Sequence, residues 1–214
     1  AHAGSRFVVL GGSQGGHGAL SASELATTYA PELDLLGTVA LAPAAMFDRT
    51  YGALDEIVTR VVTAMGMVGL ASEHPEIDVD DYVTPELAKA SKVFRTGCLD
   101  EITNTLVPLV IEGKMFKVDP RSAPGAKALI AENEVAGHRV DAPLYLAGGT
   151  KDDRVVEQRV RDLYAAECKA GQVTQFRIFD GADHGSILEE SAPDVKSFIE
   201  ARLAGDEPID TCDS

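Results

Sequence analysis

The stretch Gly11-Gly12-Ser13-Gln14-Gly15-Gly16 decides how this chain is organised. Residues 6–10, immediately before it, form a short run of β-branched and other apolar side chains that predicts a buried strand. From Leu20 to Tyr29, after it, apolar residues recur at helical spacing. A glycine-flanked serine between a strand and a helix is typical of a nucleophile turn, in which neighbouring glycines relieve the steric crowding of a strained serine. We therefore predict that Ser13 is a nucleophile; an ordinary glycine-rich loop is the alternative.

Further strands indicate a parallel sheet. A second apolar run spans 36–42 and ends before Pro43, so a strand, a helix and a strand follow one another within a short length of chain. Two more strands are predicted at 141–149 and 173–179, with helical patterns between and after them. Alternating strands and helices predict the α/β class, with parallel strands and flanking helices.

Composition limits the partners that this protein can have. The chain has 214 residues and a net charge of −15, which repels the phosphates of nucleic acids and anionic lipids. No apolar run approaches the roughly 20 residues of a membrane-spanning helix. We therefore expect neither nucleic-acid binding nor stable membrane insertion.

The three cysteines, Cys98, Cys168 and Cys212, indicate in which cellular compartment the protein works. Their number is odd and they lack CxxC spacing, so we expect no metal site, and no other motif calls for a cofactor. In an exported protein two of them can pair, leaving the third free or bonded to another segment. Because Cys212 lies in an acidic, polar tail where a free thiol would be reactive, we favour a secreted or periplasmic protein over a cytosolic protein with three thiols.

The middle of the chain differs from its two ends. Residues 44–138 carry helical patterns rather than further strands, which predicts a helical insertion between a core of residues 1–43 and 139–204. Residues 205–214 form an acidic tail. Flexible apolar side chains such as Met46 and Phe47 are usually core residues, but in an enzyme they can line a substrate pocket, here together with Gly12.

Three loops are predicted to meet at one edge of the sheet. Ser13, Asp152 and His184 each follow a predicted strand, and ligands bind at the carboxyl ends of parallel strands. A histidine can take the serine proton, and a carboxylate can orient and stabilise the resulting imidazolium. The backbone N–H of Gln14, next to the nucleophile, is the predicted oxyanion donor. We therefore predict a Ser13-Asp152-His184 triad.

Neighbouring residues offer alternatives for two of these roles. Asp153 directly follows Asp152, and Asp183 adjoins the histidine that it would have to face. His17 lies close to Ser13 in sequence, but His184 alone among the histidines follows the last predicted strand.

The strings GGSQGG, GGTKDDRVV and GADHG, each at the end of a predicted strand, resemble the carboxyl-terminal part of an α/β-hydrolase and are similar to those of secreted lipases and esterases. The resemblance implies a carboxylic ester substrate, an acyl-enzyme intermediate, and a helical cap over an acyl pocket. It also implies that the triad acid lies three residues after Gly149, which is Asp152.

The same strings allow other functions. The segment Asp152–Val156 also resembles the corresponding loop of prolyl-oligopeptidase-type serine peptidases, in which an arginine helps to hold a peptide carbonyl. Arg154 would take that role in an exopeptidase, although a surface charge at the start of a helix is the simpler interpretation. An inactive binding module on a hydrolase scaffold is a third hypothesis, which the complete set of three loops disfavours.

The chain departs from the α/β-hydrolase pattern before Ser13. Members of that superfamily normally have several strands before the nucleophile. The loop after one of these early strands supplies a second oxyanion N–H. Only 12 residues precede Ser13 in this chain. We therefore expect the chain to be the carboxyl-terminal product of a cleaved precursor, or otherwise to lack its first half, and to work beside an amino-terminal chain that carries the early strands. A leftover cysteine bonded to that chain would fit this expectation.

Overall fold

A computed structural model describes residues 4–47, 56–74, 77–118 and 124–212. The chain divides into two compact units. The first comprises Ala1–Tyr51 and Glu134–Ser214, and the second comprises Gly52–Asn133. Within the predicted helical insertion of residues 44–138, residues 48–55, 75–76 and 119–123 lie outside the described residues.

The first unit contains a parallel sheet. Its strands are β1 (Arg6–Gly12), β2 (Asp34–Leu41), β3 (Leu144–Gly149) and β4 (Thr174–Phe179), in the spatial order β1-β2-β3-β4. Every neighbouring pair is parallel. The predicted α/β class with parallel strands is thus confirmed, and all the strand carboxyl ends meet at one edge of the sheet.

The helices of the described residues are α1 (Gln14–Tyr29), α2 (Glu56–Glu73), α3 (Pro85–Ala90), α4 (Leu99–Ile111), α5 (Pro124–Glu132), α6 (Glu157–Ala170), α7 (Ile187–Glu190) and α8 (Ala192–Ala204). Two short 3₁₀ helices lie at Val79–Asp81 and Ser91–Arg95. Helices α1, α6, α7 and α8 belong to the first unit, and α2 to α5 belong to the second.

Burial differs strongly along the sheet. Every residue of β3 is buried, because this central strand is paired on both sides. β1 lies at one end of the sheet, and most of its residues keep some solvent exposure. Leu10 of β1 is 52% exposed, which is high for an apolar residue in a strand.

Helix α1 forms where its apolar spacing predicts, but it buries only part of the predicted apolar pattern. Its buried positions are Gly16, Ala19, Leu20 and Ser23. Leu25 and Tyr29, which form part of the predicted pattern, are 56% and 88% exposed. The pattern thus located the helix and the buried Leu20, whereas close packing of α1 on the sheet selects small residues at its other buried positions.

The second unit has a hydrophobic core of its own. Buried side chains from α2, α3 and α4 form it together with two residues from the loops, namely Val61, Ala64, Leu87, Ile102, Leu106, Val83 and Met115. Val83 and Phe116 form an isolated antiparallel bridge that joins those loops. No helix among the described residues combines the length and the apolar character needed to span a membrane.

The carboxyl-terminal segment is fixed to the first unit. Cys212 forms a disulfide bond with Cys168 of α6. The Thr211 N–H donates to the Thr174 carbonyl at 2.9 Å, so the segment lies alongside the start of β4. Cys98 is exposed and is not disulfide-bonded.

Candidate active site

Ser13 occupies a strained turn between β1 and α1. Its φ of 56° and ψ of −121° lie where residues with a side chain are rarely found. The backbone is held there by the Ser13 N–H, which donates to the Leu41 carbonyl at 2.8 Å, and by the Ser13 carbonyl, which accepts from the Ala44 N–H at 3.1 Å. The end of β2 and the segment that follows it therefore set the position of the serine.

Glycines make this turn sterically possible. A Cβ on Gly11 would lie 1.9 Å from the Gly15 carbonyl oxygen, which is far inside van der Waals contact. A Cβ on Gly16 would lie 2.9 Å from Cβ of Pro43. Gly11 and Gly16 thus reflect close approach between β1, α1 and the segment that follows β2.

His184 links the serine to an aspartate. The Nε2 atom of His184 lies 2.9 Å from Oγ of Ser13, and Nδ1 lies 2.8 Å from Oδ2 of Asp152. With the imidazole proton on Nδ1, the serine hydroxyl donates to Nε2 and the Nδ1–H donates to the carboxylate. The structure thus brings the three predicted side chains, from the ends of three strands, into one hydrogen-bonded chain.

Asp152 is held firmly in this position. Its other carboxylate oxygen accepts hydrogen bonds from the backbone N–H groups of Arg154 and Val155, at 2.9 and 2.8 Å. Asp152 is only 5% exposed, whereas the neighbouring Asp153 is exposed. A carboxylate with all its polar contacts inside the protein has one fixed orientation, which is what a histidine partner requires.

Asp183, the remaining alternative acid, faces its own turn. Its Oδ1 atom accepts from the backbone N–H groups of Gly185 and Ser186, at 2.9 and 2.8 Å. These hydrogen bonds, led by the one from Ser186, lower the pKa of Asp183 because they favour the charged carboxylate. Asp183 therefore shapes the loop that presents His184.

The alternative histidine, His17, lies in the first turns of α1. Its backbone N–H donates to the Ser13 carbonyl at 3.1 Å, and its ring lies 5.4 Å from the ring of Phe47. Gln14 is the first residue of α1, so its N–H belongs to the end of the helix where N–H groups lack an intrahelical acceptor.

Of the other predicted binding residues, Met46 is buried, and Phe47 is partly buried against His17. Gly12 lies beside Leu188 of α7, since a Cβ on Gly12 would approach Cδ2 of Leu188 to 2.6 Å. Sequence reasoning missed Leu188, because α7 is too short to show a periodic pattern. It also missed Glu134, whose carboxylate accepts hydrogen bonds from the backbone N–H groups of Met46 and Phe47.

The part of the chain that the structure describes contains no candidate metal site. There, no group of three or more histidine, cysteine, aspartate or glutamate side chains is placed to hold a metal ion.

Comparison with known proteins is consistent across sequence and structure. A family model described as secretory lipase matches residues 2–211. A secreted triacylglycerol lipase, LIP5 of Malassezia globosa, is 26% identical over 220 residues, which cover 97% of this chain and 46% of that protein.

Solved structures show the same fold. Candida antarctica lipase A superimposes with a TM-score of 0.73 at 17% identity, over 98% of this chain and 51% of that one. The rice cell wall degrading esterase LipA from Xanthomonas oryzae gives a TM-score of 0.66 at 18% identity, over 94% of this chain and 57% of that one. The chain thus spans about half the length of the relatives that it matches.

Proposed function

Since this chain belongs to the secretory lipase family, we propose that it is a serine hydrolase that cleaves carboxylic esters with Ser13 as its nucleophile. The proposal rests above all on the hydrogen-bonded chain from Ser13 through His184 to Asp152, with distances of 2.9 and 2.8 Å. Secretion, expected from the cysteines, agrees with the family, and we extend it to this protein.

The proposed reaction has two halves. His184 removes the proton from the Ser13 hydroxyl as its oxygen attacks the ester carbonyl carbon, and the carbonyl oxygen becomes an oxyanion. The N–H of Gln14 donates to this oxyanion at the start of α1. As the tetrahedral intermediate collapses, the bond to the alcohol oxygen breaks and His184 protonates the departing alcohol, leaving the acyl group on Ser13.

Water completes the cycle. His184 removes a proton from a water molecule, whose oxygen attacks the acyl carbon. The second tetrahedral intermediate releases the carboxylic acid as His184 returns the proton to Ser13. Throughout, Asp152 keeps Nδ1 protonated and stabilises the imidazolium that forms in each half. The reaction needs no electron acceptor or cofactor.

We further propose that β1 pairs with a strand of an amino-terminal segment of the same precursor. Among the described residues, β1 pairs only with β2, so one edge of the strand that leads to Ser13 presents its backbone groups for pairing. Leu10 of this strand is 52% exposed. The length of the matched relatives supports the proposal, because a second half of the polypeptide can supply such strands and the second oxyanion donor.

We also propose that the helical second unit, Gly52–Asn133, is the cap that the sequence predicts within 44–138. Its separate hydrophobic core supports an independently folded element inserted into the hydrolase core. This role is open to test by deleting residues 52–133 and measuring the acyl preference of the shortened protein.

The catalytic proposal is tested with a fluorophosphonate probe, which reacts covalently with activated serines. We expect intact-mass spectrometry of the natural protein to show one adduct on Ser13, and Ser13→Ala to abolish both the adduct and ester hydrolysis. Loss of such a nucleophile lowers kcat by about 10⁶-fold in a comparable enzyme. Activity of Ser13→Ala within tenfold of the wild type would refute the assignment.

Substrate class is decided with the same protein. Hydrolysis of nitrophenyl esters without cleavage of aminoacyl anilides would support the esterase, and the reverse would favour the exopeptidase. Arg154 is exposed, as expected for a surface charge. A well-folded protein that neither reacts with the probe nor cleaves either substrate would be a binding module.

A further inference from the structure

Glu134 holds a short segment beside the nucleophile. Its Oε1 atom accepts from the Met46 N–H at 2.9 Å, and its Oε2 atom accepts from the Phe47 N–H at 2.7 Å. Oε1 also accepts from the N–H of the adjacent Val135 at 3.1 Å. Two consecutive backbone N–H groups that converge on one carboxylate form a specific anion-binding arrangement.

The segment that Glu134 holds is strained. Met46 has a φ of 57°, a left-handed conformation that is unfavourable for a residue with a side chain. It is also only 4% exposed, so its side chain packs inside the protein. A peptide would seldom adopt this conformation alone, and the carboxylate of Glu134 stabilises it by binding the N–H groups on either side of the Met46 Cα.

The strained segment connects directly to the proposed active site. The Ala44 N–H donates to the Ser13 carbonyl at 3.1 Å, and the Ala45 carbonyl accepts from Nη1 of Arg159 at 2.9 Å. Phe47 then packs against the ring of His17, which lies one turn beyond Ser13 in α1. Residues 44–47 thus run from the nucleophile turn to an aromatic contact, with Glu134 fixing the far end.

We propose that Glu134 is a positioning residue for acyl-chain specificity, which holds the turn at the buried Met46 and so places Phe47 as an apolar wall beside Ser13. The inference rests on the proposed ester hydrolysis and adds to it a residue that sets the preference for acyl chains long enough to reach this wall. Burial of apolar acyl carbons against Phe47 would favour such esters over acetates, because each buried CH₂ adds to binding. The residue acts through the backbone of the wall and does not touch the substrate.

The test is the acyl-chain profile of Glu134→Gln in the natural protein. Glutamine has the same shape, but its NH₂ group would face one of the two backbone N–H donors. The turn therefore loses one hydrogen bond, and the negative charge of the Glu134 carboxylate is removed. We expect the ratio of kcat/KM for nitrophenyl octanoate to that for nitrophenyl acetate to fall about tenfold. Glu132→Gln, at an exposed carboxylate two residues earlier, is the matched control and should keep the wild-type ratio.

A double-mutant cycle separates this role from a general loss of structure. If Glu134 acts through the wall, then Glu134→Gln should have little further effect on the ratio in a Phe47→Ala background. Equal effects in both backgrounds would overturn the proposal, as would an unchanged ratio in Glu134→Gln. Should the amide variant fail to fold, Glu134→Asp, which keeps the charge but shortens the reach, decides the question by the same ratio.

Fluorophosphonate labelling distinguishes a failure of the Glu134 proposal from a failure of the proposed ester hydrolysis. A wild-type protein that is labelled on Ser13, with an unaltered acyl-chain profile in both Glu134 variants, would leave ester hydrolysis standing and refute the role of Glu134. A wild-type protein that is not labelled would refute ester hydrolysis and the specificity wall together.

Discussion

Ser13 is held at positive φ by a turn in which some neighbouring positions leave no room for a side chain. Gly11 is the most demanding of these, because a Cβ there would overlap the Gly15 carbonyl oxygen at 1.9 Å. Gly18, only two residues after the glycine-rich stretch, has no atom within 4 Å of such a Cβ. The two glycines therefore have opposite steric requirements within one turn and helix.

We predict that Gly11→Ala lowers the free energy of unfolding by about 3 kcal/mol or more, because the backbone must move to admit the methyl group. Gly18→Ala, the matched control, should raise it by about 0.5–1 kcal/mol, since alanine favours the helix. Urea denaturation of both variants measures the difference. A stable Gly11→Ala protein with wild-type activity would contradict the close approach of β1 and α1.

A second residue-scale prediction separates the two neighbouring aspartates. Asp152→Asn should lower kcat by about 10⁴-fold, because the amide favours the wrong imidazole tautomer. Asp153 is exposed and makes no hydrogen bond to His184, so Asp153→Asn should have a far smaller effect. Steady-state kinetics on one nitrophenyl ester compares them, and equal losses would show that the acid is wrongly assigned.

At the scale of single elements, α6 carries a buried carboxylate outside the candidate site. Glu167 is 2% exposed, and its Oε1 atom accepts from the Gly137 N–H at 2.9 Å. Burial raises the pKa of Glu167 to about 7, against the hydrogen bond from Gly137, and the nearby Glu24 and Glu134 raise it further while His138 lowers it. The folded protein therefore holds a proton on Glu167 at a pH where the unfolded chain has lost it.

The sign of the resulting pH dependence follows from linkage. Because the folded pKa of Glu167 lies above its ordinary value, its contribution to stability is present in full below about pH 4.5 and is lost as the pH rises through 7. We predict that the free energy of unfolding falls by about 2–3 kcal/mol between pH 5 and pH 8 from this group. Denaturant titrations should show that Glu167→Gln removes the fall, whereas Glu200→Gln, at an exposed carboxylate of α8, retains it.

The whole molecule combines a sheet-containing unit with a helical unit that has its own core. The Cys168–Cys212 disulfide bond ties the carboxyl-terminal segment of the first unit to α6 and joins residues 44 apart in sequence. Hydrogen bonds between Thr211 and Thr174 align the same segment with β4. The acidic segment at the end of the chain is thus part of the folded sheet unit.

We predict that loss of this bond destabilises the first unit by about 4 kcal/mol, the loop-closure entropy for a loop of this length. A protein with both Cys168→Ser and Cys212→Ser should therefore unfold at a lower urea concentration than the wild type. Cys98→Ser, which removes an exposed thiol, serves as the control and should leave the transition in place. Equal midpoints for all three proteins would contradict the pairing.

Much of the architecture could be predicted from the sequence, because it depends on local patterns. Alternating apolar runs and helical spacing located the four strands that the described residues form, and parallel pairing then required the ends of β1, β3 and β4 to share an edge. This geometric necessity is why Ser13, Asp152 and His184 could be named together before their distances were known. Gly171, directly after α6, takes the left-handed φ of 77° that favours glycine at the end of a helix.

Only the tertiary structure decided the contacts between segments distant in sequence. Glu134 reaches Met46 across 88 residues, and no local pattern marks either residue as the partner of the other. Tertiary structure alone also decided three other features, namely the cysteine pairing, the burial of Asp152 beside the exposed Asp153, and the exposed face of α1. The physical reason is that periodicity records what a segment can bury, whereas the packing of the whole chain determines which residues it meets there.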